Sequence, residues 1–239
     1  MTLPDMEAGM AGKPSIVLVH GFWGGAAHWG KVIVELNRRG GYSLHAVENP
    51  LTSLADDSER TKKMVNQIDG PVLLVGHSYG GAVITEAGDL PNVVGLVYVA
   101  AFAPDAGESL AQISGWRASP GAENVAPDSD GYLWIKQDKF GESFCQDLPE
   151  DEAIVMAVTQ KAPVGSTFGD AVSSPAWKAK PVWYQVSTED RMINPDSERQ
   201  MAERMKPRGT IELAASHASL ASQPAAIVDL IEQAASSLT

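Results

Sequence analysis

Val72-Leu-Leu-Val-Gly76-His77-Ser78-Tyr79-Gly80-Gly81 runs from an unbroken apolar stretch into Gly-x-Ser-x-Gly, and then into the helical pattern opened by Ala82-Val83-Ile84. An apolar run of this kind reads as a strand buried on both faces, as the strands of a parallel sheet are. A serine on so tight a strand-to-helix turn takes a strained backbone conformation, and the residues two away on either side must be small for the turn to close. Gly76 and Gly80 meet that requirement. Ser78 then projects alone above a helix N-terminus, which favours developing negative charge. Gly-x-Ser-x-Gly by itself also arises by chance; the strand before it and the helix after it give it meaning.

Outward from this turn, strand signals recur at 15–19, 43–47, 72–75, 93–99, 182–186 and 210–213, mostly as β-branched runs bounded by Gly, Pro or Asn. Helical spacing lies between them, at 26–39, 80–90, 196–205 and 224–238. A capping box opens at Ser53 with Asp56 in place of the usual Glu, and Thr61, Met64, Val65 and Ile68 follow at helical spacing until Gly70 and Pro71. Alternating strands and helices imply right-handed crossovers and an α/β fold, with a mostly parallel, doubly wound sheet covered by helices on both faces. The alternation lapses over 103–180, which carries Trp116, Trp134 and Trp177 with Phe140, Phe144 and Phe168, an aromatic load foreign to a linker. This stretch reads as a small cap over one end of the sheet, with helical pieces near 131–140 and 149–161. The organisation expected is a loose tail over 1–12, a core over 13–102 and 181–239, and the cap over 103–180.

The 239 residues fit one domain. With 18 basic and 30 acidic residues the net charge is −12 and no basic footprint is visible, so neither nucleic acid nor an anionic membrane surface is an expected partner. The one cysteine, Cys145, forms no intrachain disulfide and reads as a small, half-buried hydrophobe. The longest apolar stretch, 93–103, is broken by Gly95 and falls far short of the ~20 residues of a membrane span. The first residues lack the basic and apolar regions of a secretory signal. A cytoplasmic protein is expected; its oligomeric state, a homodimer included, stays open.

A second glycine-rich turn follows the first strand, Val19-His20-Gly21-Phe22-Trp23-Gly24-Gly25. It has neither the dinucleotide fingerprint nor a following Gly-Lys-Ser/Thr, so no nucleotide cofactor is expected. It suits an oxyanion hole, the backbone N–H of Phe22 joining that of Tyr79. A serine nucleophile needs a base and a carboxylate to orient it. Of the five histidines, His20 and His77 belong to the two turns, while His28 and His45 suit surface or capping roles. No zinc spacing joins them, and no metal is expected. His217 follows the last strand signal in Ala-Ala-Ser-His-Ala-Ser, where a base could reach over Ser78. Asp190, in Ser187-Thr-Glu-Asp190 after the strand before it, is the preferred carboxylate over the neighbouring Glu189, with Asp105 in reserve. The cap aromatics suggest an apolar acyl or alcohol pocket involving Trp116 and Trp134, with Trp23 and Tyr79 at its floor, or else rings that only pack the cap onto the sheet. Trp177 and Trp183 read as core.

The order Ser78, Asp190, His217 is that of the α/β-hydrolase fold, and the chain resembles that superfamily from about residue 15 to its end. More closely it is similar to the group of plant methylesterases, hydroxynitrile lyases and bacterial small-ester or pyrethroid hydrolases. The motifs that carry the resemblance are Val19-His-Gly-Phe-Trp-Gly-Gly-Ala-Ala-His-Trp29, Gly76-His-Ser-Tyr-Gly-Gly81, Tyr98-Val-Ala-Ala-Phe-Ala-Pro-Asp105, Ser187-Thr-Glu-Asp190 and Ser216-His217. The cap, which the resemblance places after the sixth strand of the full family fold, matches only loosely. The lyases of the group carry threonine where Gly21 stands and lysine where Ala218 stands, so cyanohydrin cleavage is disfavoured. Ser78, where dehalogenating relatives have aspartate, implies acyl transfer to water. The resemblance thus implies a cofactor-free serine hydrolase cleaving a carboxylic ester of a small to medium apolar substrate. Lactone, amide or carbon–carbon bond hydrolysis, perhydrolysis, and a ligand-binding receptor on the same fold remain as alternatives.

Because neutral His217 is the expected base, turnover should fall as its ring becomes protonated in acid. A rate profile flat down to pH 4 would remove His217 from that role.

Overall fold

Six parallel strands form the central sheet of the computed structural model, which describes residues 12–238. All of the expected tail but Gly12 lies outside the described residues. The strands are β1 (Ser15–Val19), β2 (Leu44–Val47), β3 (Val72–Ser78), β4 (Val93–Ala101), β7 (Val182–Ser187) and β8 (Gly209–Leu213), ordered β2-β1-β3-β4-β7-β8 across the sheet. A separate antiparallel hairpin, β5 (Val125–Pro127) and β6 (Leu133–Ile135), lies outside it.

The strand register sorts the apolar residues into two layers. Val17, Leu74, Leu96 and Val182 face one another in a row across one side of the sheet, and Leu18, Val75, Val97 and Trp183 form the matching row on the other. Side chains alternate between faces along a strand, so strands that bury both faces must be apolar at every position. The helices supply the covers. In chain order they are α1 (Gly30–Arg39), α2 (Leu54–Val65), α3 (Gly80–Ala87), α4 (Leu110–Ser114), α5 (Gln137–Phe144), α6 (Glu150–Val158), α7 (Pro195–Met205), α8 (Ser219–Ser222) and α9 (Pro224–Ser236). Val32 and Leu36 of α1 and Ile227 and Ile231 of α9 close the Leu18 layer, while α2, α3 and α7 close the other with Leu54, Val83 and Met201.

Helix ends follow the cap chemistry. The Ser53 hydroxyl accepts the N–H of Asp56 at 3.0 Å, as the capping box predicts, and α2 ends at Val65, before Gly70. Residues 26–29 form a 3-10 turn before α1, and α3 stops at Ala87, short of the expected residue 90. The stretch between β4 and β7 departs more. Where a helix was expected near 131–140, Leu133–Ile135 pairs with Val125–Pro127, and α5 begins only at Gln137. Among the described residues no helix is long and apolar enough to cross a membrane.

From β1 the chain goes first to β2 on one side and then to β3 on the other. The carboxyl ends of β1 and β3 therefore flank the switch point of the sheet, where open α/β sheets form their crevice. Here the approach is close. A Cβ on Gly76 would lie 2.5 Å from the Gly80 carbonyl oxygen, and one on Gly80 would strike the Val19 carbonyl. Gly76→Ala should therefore destabilise the protein by roughly 1–3 kcal/mol through overpacking. Urea denaturation checks this, and an unchanged midpoint would show that the turn has slack.

Candidate active site

Ser78 ends β3 with φ of 56°, in the left-handed region that non-glycine residues rarely enter. This conformation lifts the side chain out of the sheet toward the switch point. His217, in the loop between β8 and α8, places Nε2 2.8 Å from Ser78 Oγ. Its Nδ1 lies 2.5 Å from Asp190 Oδ2. With an N–H on Nδ1 donating to the carboxylate, Nε2 is free to accept the serine hydroxyl proton. Asp190 is held in turn by the N–H groups of Met192 and Ile193, which donate to Oδ1 at 2.6 and 2.9 Å.

The His217 loop is braced on several sides. His77 donates from Nε2 to the His217 carbonyl at 2.8 Å, and burial holds the His77 ring well below the usual histidine range, hence neutral. Asp147 accepts the N–H of Ser216 at 2.9 Å, and the Phe144 ring meets His217 edge-on with centroids 4.8 Å apart. Both partners come from the α5–α6 corner, so the segment between β4 and β7 supports the histidine directly.

Phe22 and Tyr79 sit at the two glycine turns. Their rings stack with centroids 4.0 Å apart and an interplanar angle of 13°. The Tyr79 hydroxyl donates to Asp57 Oδ2 at 2.6 Å, and Asp57 Oδ1 takes the N–H of Leu51 at 2.8 Å. His20 donates from Nδ1 to the Gly21 carbonyl at 2.8 Å, and its Nε2 accepts the N–H of Asn49 at 2.9 Å, a tautomer its burial keeps uncharged. A Cβ on Gly21 would lie 2.5 Å from that of Ser78, so the Phe22 turn approaches the serine with no side chain between them.

A cavity of about 550 Å³ opens onto Ser78. Its walls are largely apolar, with Trp23, Phe102, Leu133, Phe168 and Ile193 among them and Glu123 as the one charged group. Of the aromatics assigned to this pocket from the sequence, Trp23 and the cap residue Phe168 line it, while Trp116, Trp134 and Tyr79 do not. Trp134 is turned outward by strand alternation, donating from Nε1 to Asp128 at 2.8 Å while its neighbour Leu133 faces in. Trp116 is half-buried under the Arg204 guanidinium, 5.4 Å from the ring centre. Tyr79 lies behind Phe22, not at the floor. The sequence reading missed Val125, Leu133, Met192 and Ile193, of which the last two directly follow Asp190 and could have been read from that position. A hollow of similar volume, about 570 Å³, lies at the opposite, amino end of β1 and β3 beside Ser15 and Pro71, away from Ser78.

The remaining candidates fall elsewhere. Asp105 pairs with Lys178, and Glu189 is exposed. His28 is half-buried against Phe144, not at the surface, and burial pushes its ring down to about 4. Cys145 is fully buried, its thiol pushed up to about 12. Trp177 and Trp183 are core, as expected. Among the described residues no group of three or more His, Cys, Asp or Glu side chains is placed to hold a metal ion.

Comparison with known proteins gives one sequence family, described as the Alpha/beta hydrolase family, whose model matches residues 16–230. A protein of a Phoma species named Probable hydrolase R7 is 26% identical over 202 residues, covering 78% of this chain and 81% of its own. A carbendazim hydrolyzing esterase of a Nocardioides species is 33% identical over 109 residues, 40% of this chain and 45% of its own. Among solved structures, a pyrethroid hydrolase from Sphingobium faniae superposes with a TM-score of 0.79 at 22% identity, over 93% of this chain and 97% of that one.

The two carboxylates weighed from the sequence are separable by experiment. Asp190→Asn should slow covalent labelling of Ser78 by a fluorophosphonate by about 10³–10⁴, since an amide favours the wrong ring tautomer. Asp105→Asn should label at the wild-type rate. The reverse pattern would reassign the acid.

Proposed function

The chain belongs to the alpha/beta hydrolase family, and on that footing we propose that it is a serine esterase acting on carboxylic esters of small to medium apolar substrates. The observation that carries this reading is the hydrogen-bonded line from Asp190 through His217 to Ser78, ending at an apolar cavity.

In the proposed reaction Ser78 Oγ attacks the ester carbonyl as its proton passes to His217 Nε2. Asp190 orients the ring and stabilises the imidazolium that forms. Negative charge gathers on the former carbonyl oxygen, which the backbone N–H groups of Phe22 and Tyr79 receive; by analogy with measured cases each such donor contributes roughly 10²–10³ in rate. His217 then gives its proton to the leaving alcohol, and an acyl group remains on Ser78. Water repeats the sequence, His217 taking its proton, and releases the acid. The walls formed by Phe102, Leu133, Phe168 and Ile193 favour an apolar acyl or alcohol portion.

A series of p-nitrophenyl esters from acetate to decanoate tests this, beside the Ser78→Ala variant. Ser78→Ala should lower kcat by roughly 10⁵–10⁶. Hexanoate should exceed acetate in kcat/KM, each buried methylene adding up to about 0.8 kcal/mol. Turnover that survived Ser78→Ala would overturn the reading.

A further inference from the structure

Glu198 lies in the first turns of α7, wholly sealed from solvent, and the chemistry above makes no use of it. Its Oε2 accepts the N–H of Ser187, the last residue of β7, at 3.0 Å. Its Oε1 is buried too and, among the described residues, receives no N–H or hydroxyl donor. The same side chain lies against Asp190, close enough for the two carboxyl groups to share a proton.

Two carboxyl groups hydrogen-bond to one another only when one of them holds a proton. Asp190 accepts three N–H donors, from Met192, Ile193 and the His217 ring, and these occupy both of its oxygens as acceptors. The proton therefore resides on Glu198, whose carboxyl is pushed well above the usual carboxylate range by burial and by the Asp190 charge. Since Oε2 faces the Ser187 N–H, Oε1 is the oxygen left to carry it. The other charged or titratable neighbours do not compete for it. Tyr184 on β7 is kept protonated by burial and donates to the Ala101 carbonyl, and Arg199 on α7 is turned to Glu212 and Asp196 at the surface.

We propose that Glu198 is a positioning residue of this site: its neutral carboxyl donates through Oε1 to the Asp190 carboxylate and sets how strongly that carboxylate holds the His217 imidazolium. The proposal rests on the reading of Ser78, His217 and Asp190 as the reacting line. A carboxylate that accepts four hydrogen bonds spreads its charge over all of them, so less of it falls on the ring. Withdrawing the Glu198 donor concentrates the charge on His217, favours the protonated ring, and moves the acidic limb of reactivity to higher pH.

The test is the pH profile of Ser78 labelling by a fluorophosphonate, which requires no knowledge of the ester, in the wild type and in Glu198→Gln and Glu198→Met. Gln keeps both contacts, its amide nitrogen donating to Asp190 and its oxygen accepting from Ser187, so E198Q should leave the acidic midpoint in place. E198M removes the donor and should raise the midpoint by roughly half a unit to one unit. A wild-type minus E198Q infrared difference spectrum should contain a protonated carboxylic-acid carbonyl band. A downward shift in E198Q would mean that Glu198 is ionised, an unmoved midpoint in E198M would mean a packing role only, and absence of the band would mean no proton; each overturns the proposal. If E198M does not fold, the E198Q midpoint and the infrared band decide between them. Failure of the wild type to label at all would instead overturn the esterase reading, and the proposal with it.

Discussion

The left-handed backbone at Ser78 costs on the order of 1–3 kcal/mol wherever a non-glycine residue adopts it, and here it is maintained by contacts that leave no other path. β3, the first turn of α3 and the end of β1 meet at Gly76, Gly80 and the Val19 carbonyl with no room for a Cβ. The sheet order puts that crowded point at its switch point, so the strain that exposes the serine and the crevice that would admit a substrate arise from one piece of topology. Around it every element has a task defined by distance: His217 must reach Oγ, and Asp190 must reach His217.

Most of the polar groups that secure this arrangement act on the main chain of their neighbours. His77 holds the His217 carbonyl, His20 holds the Gly21 carbonyl, and Asp147 holds the Ser216 amide. Burial keeps His20 and His77 uncharged, so they serve as fixed neutral hydrogen-bonding groups and do not add positive charge beside His217. The same economy governs the two glycine turns, where Phe22 and Tyr79 stack on each other and the Tyr79 hydroxyl is tethered to Asp57.

The sheet was legible because strands buried on both faces leave uninterrupted apolar runs, and Ser53 marked its helix because a hydroxyl there satisfies a free N–H. Ser78, Asp190 and His217 were legible as candidates because each follows a strand and their chain order is distinctive. The hairpin of 125–135 was not: three-residue strands are too short for period-two alternation to emerge, and Lys136-Gln-Asp-Lys139 next to them has a helical composition. For the same reason the sequence does not reveal that Leu133, and not its neighbour Trp134, faces inward. Nothing in a count of aromatic residues says to which side of a strand a ring points. Glu198 left a signal that could have been read, an acid three and seven residues before Met201 and Met205 on the buried stripe of α7.

Several ties between the β4–β7 segment and the core end on main-chain carbonyls. Trp23 donates its amide N–H to the Lys161 carbonyl and its indole N–H to that of Leu133, and the Val164 N–H donates to the Leu51 carbonyl. A carbonyl is present whatever side chain the residue bears. The segment can therefore exchange its side chains over generations, remodelling the cavity walls, while the path of its backbone and its grip on the Trp23 turn persist. Diversification of the chemistry that enters and conservation of the apparatus beneath it become separable, which is the condition under which one scaffold can be recruited repeatedly to new small molecules.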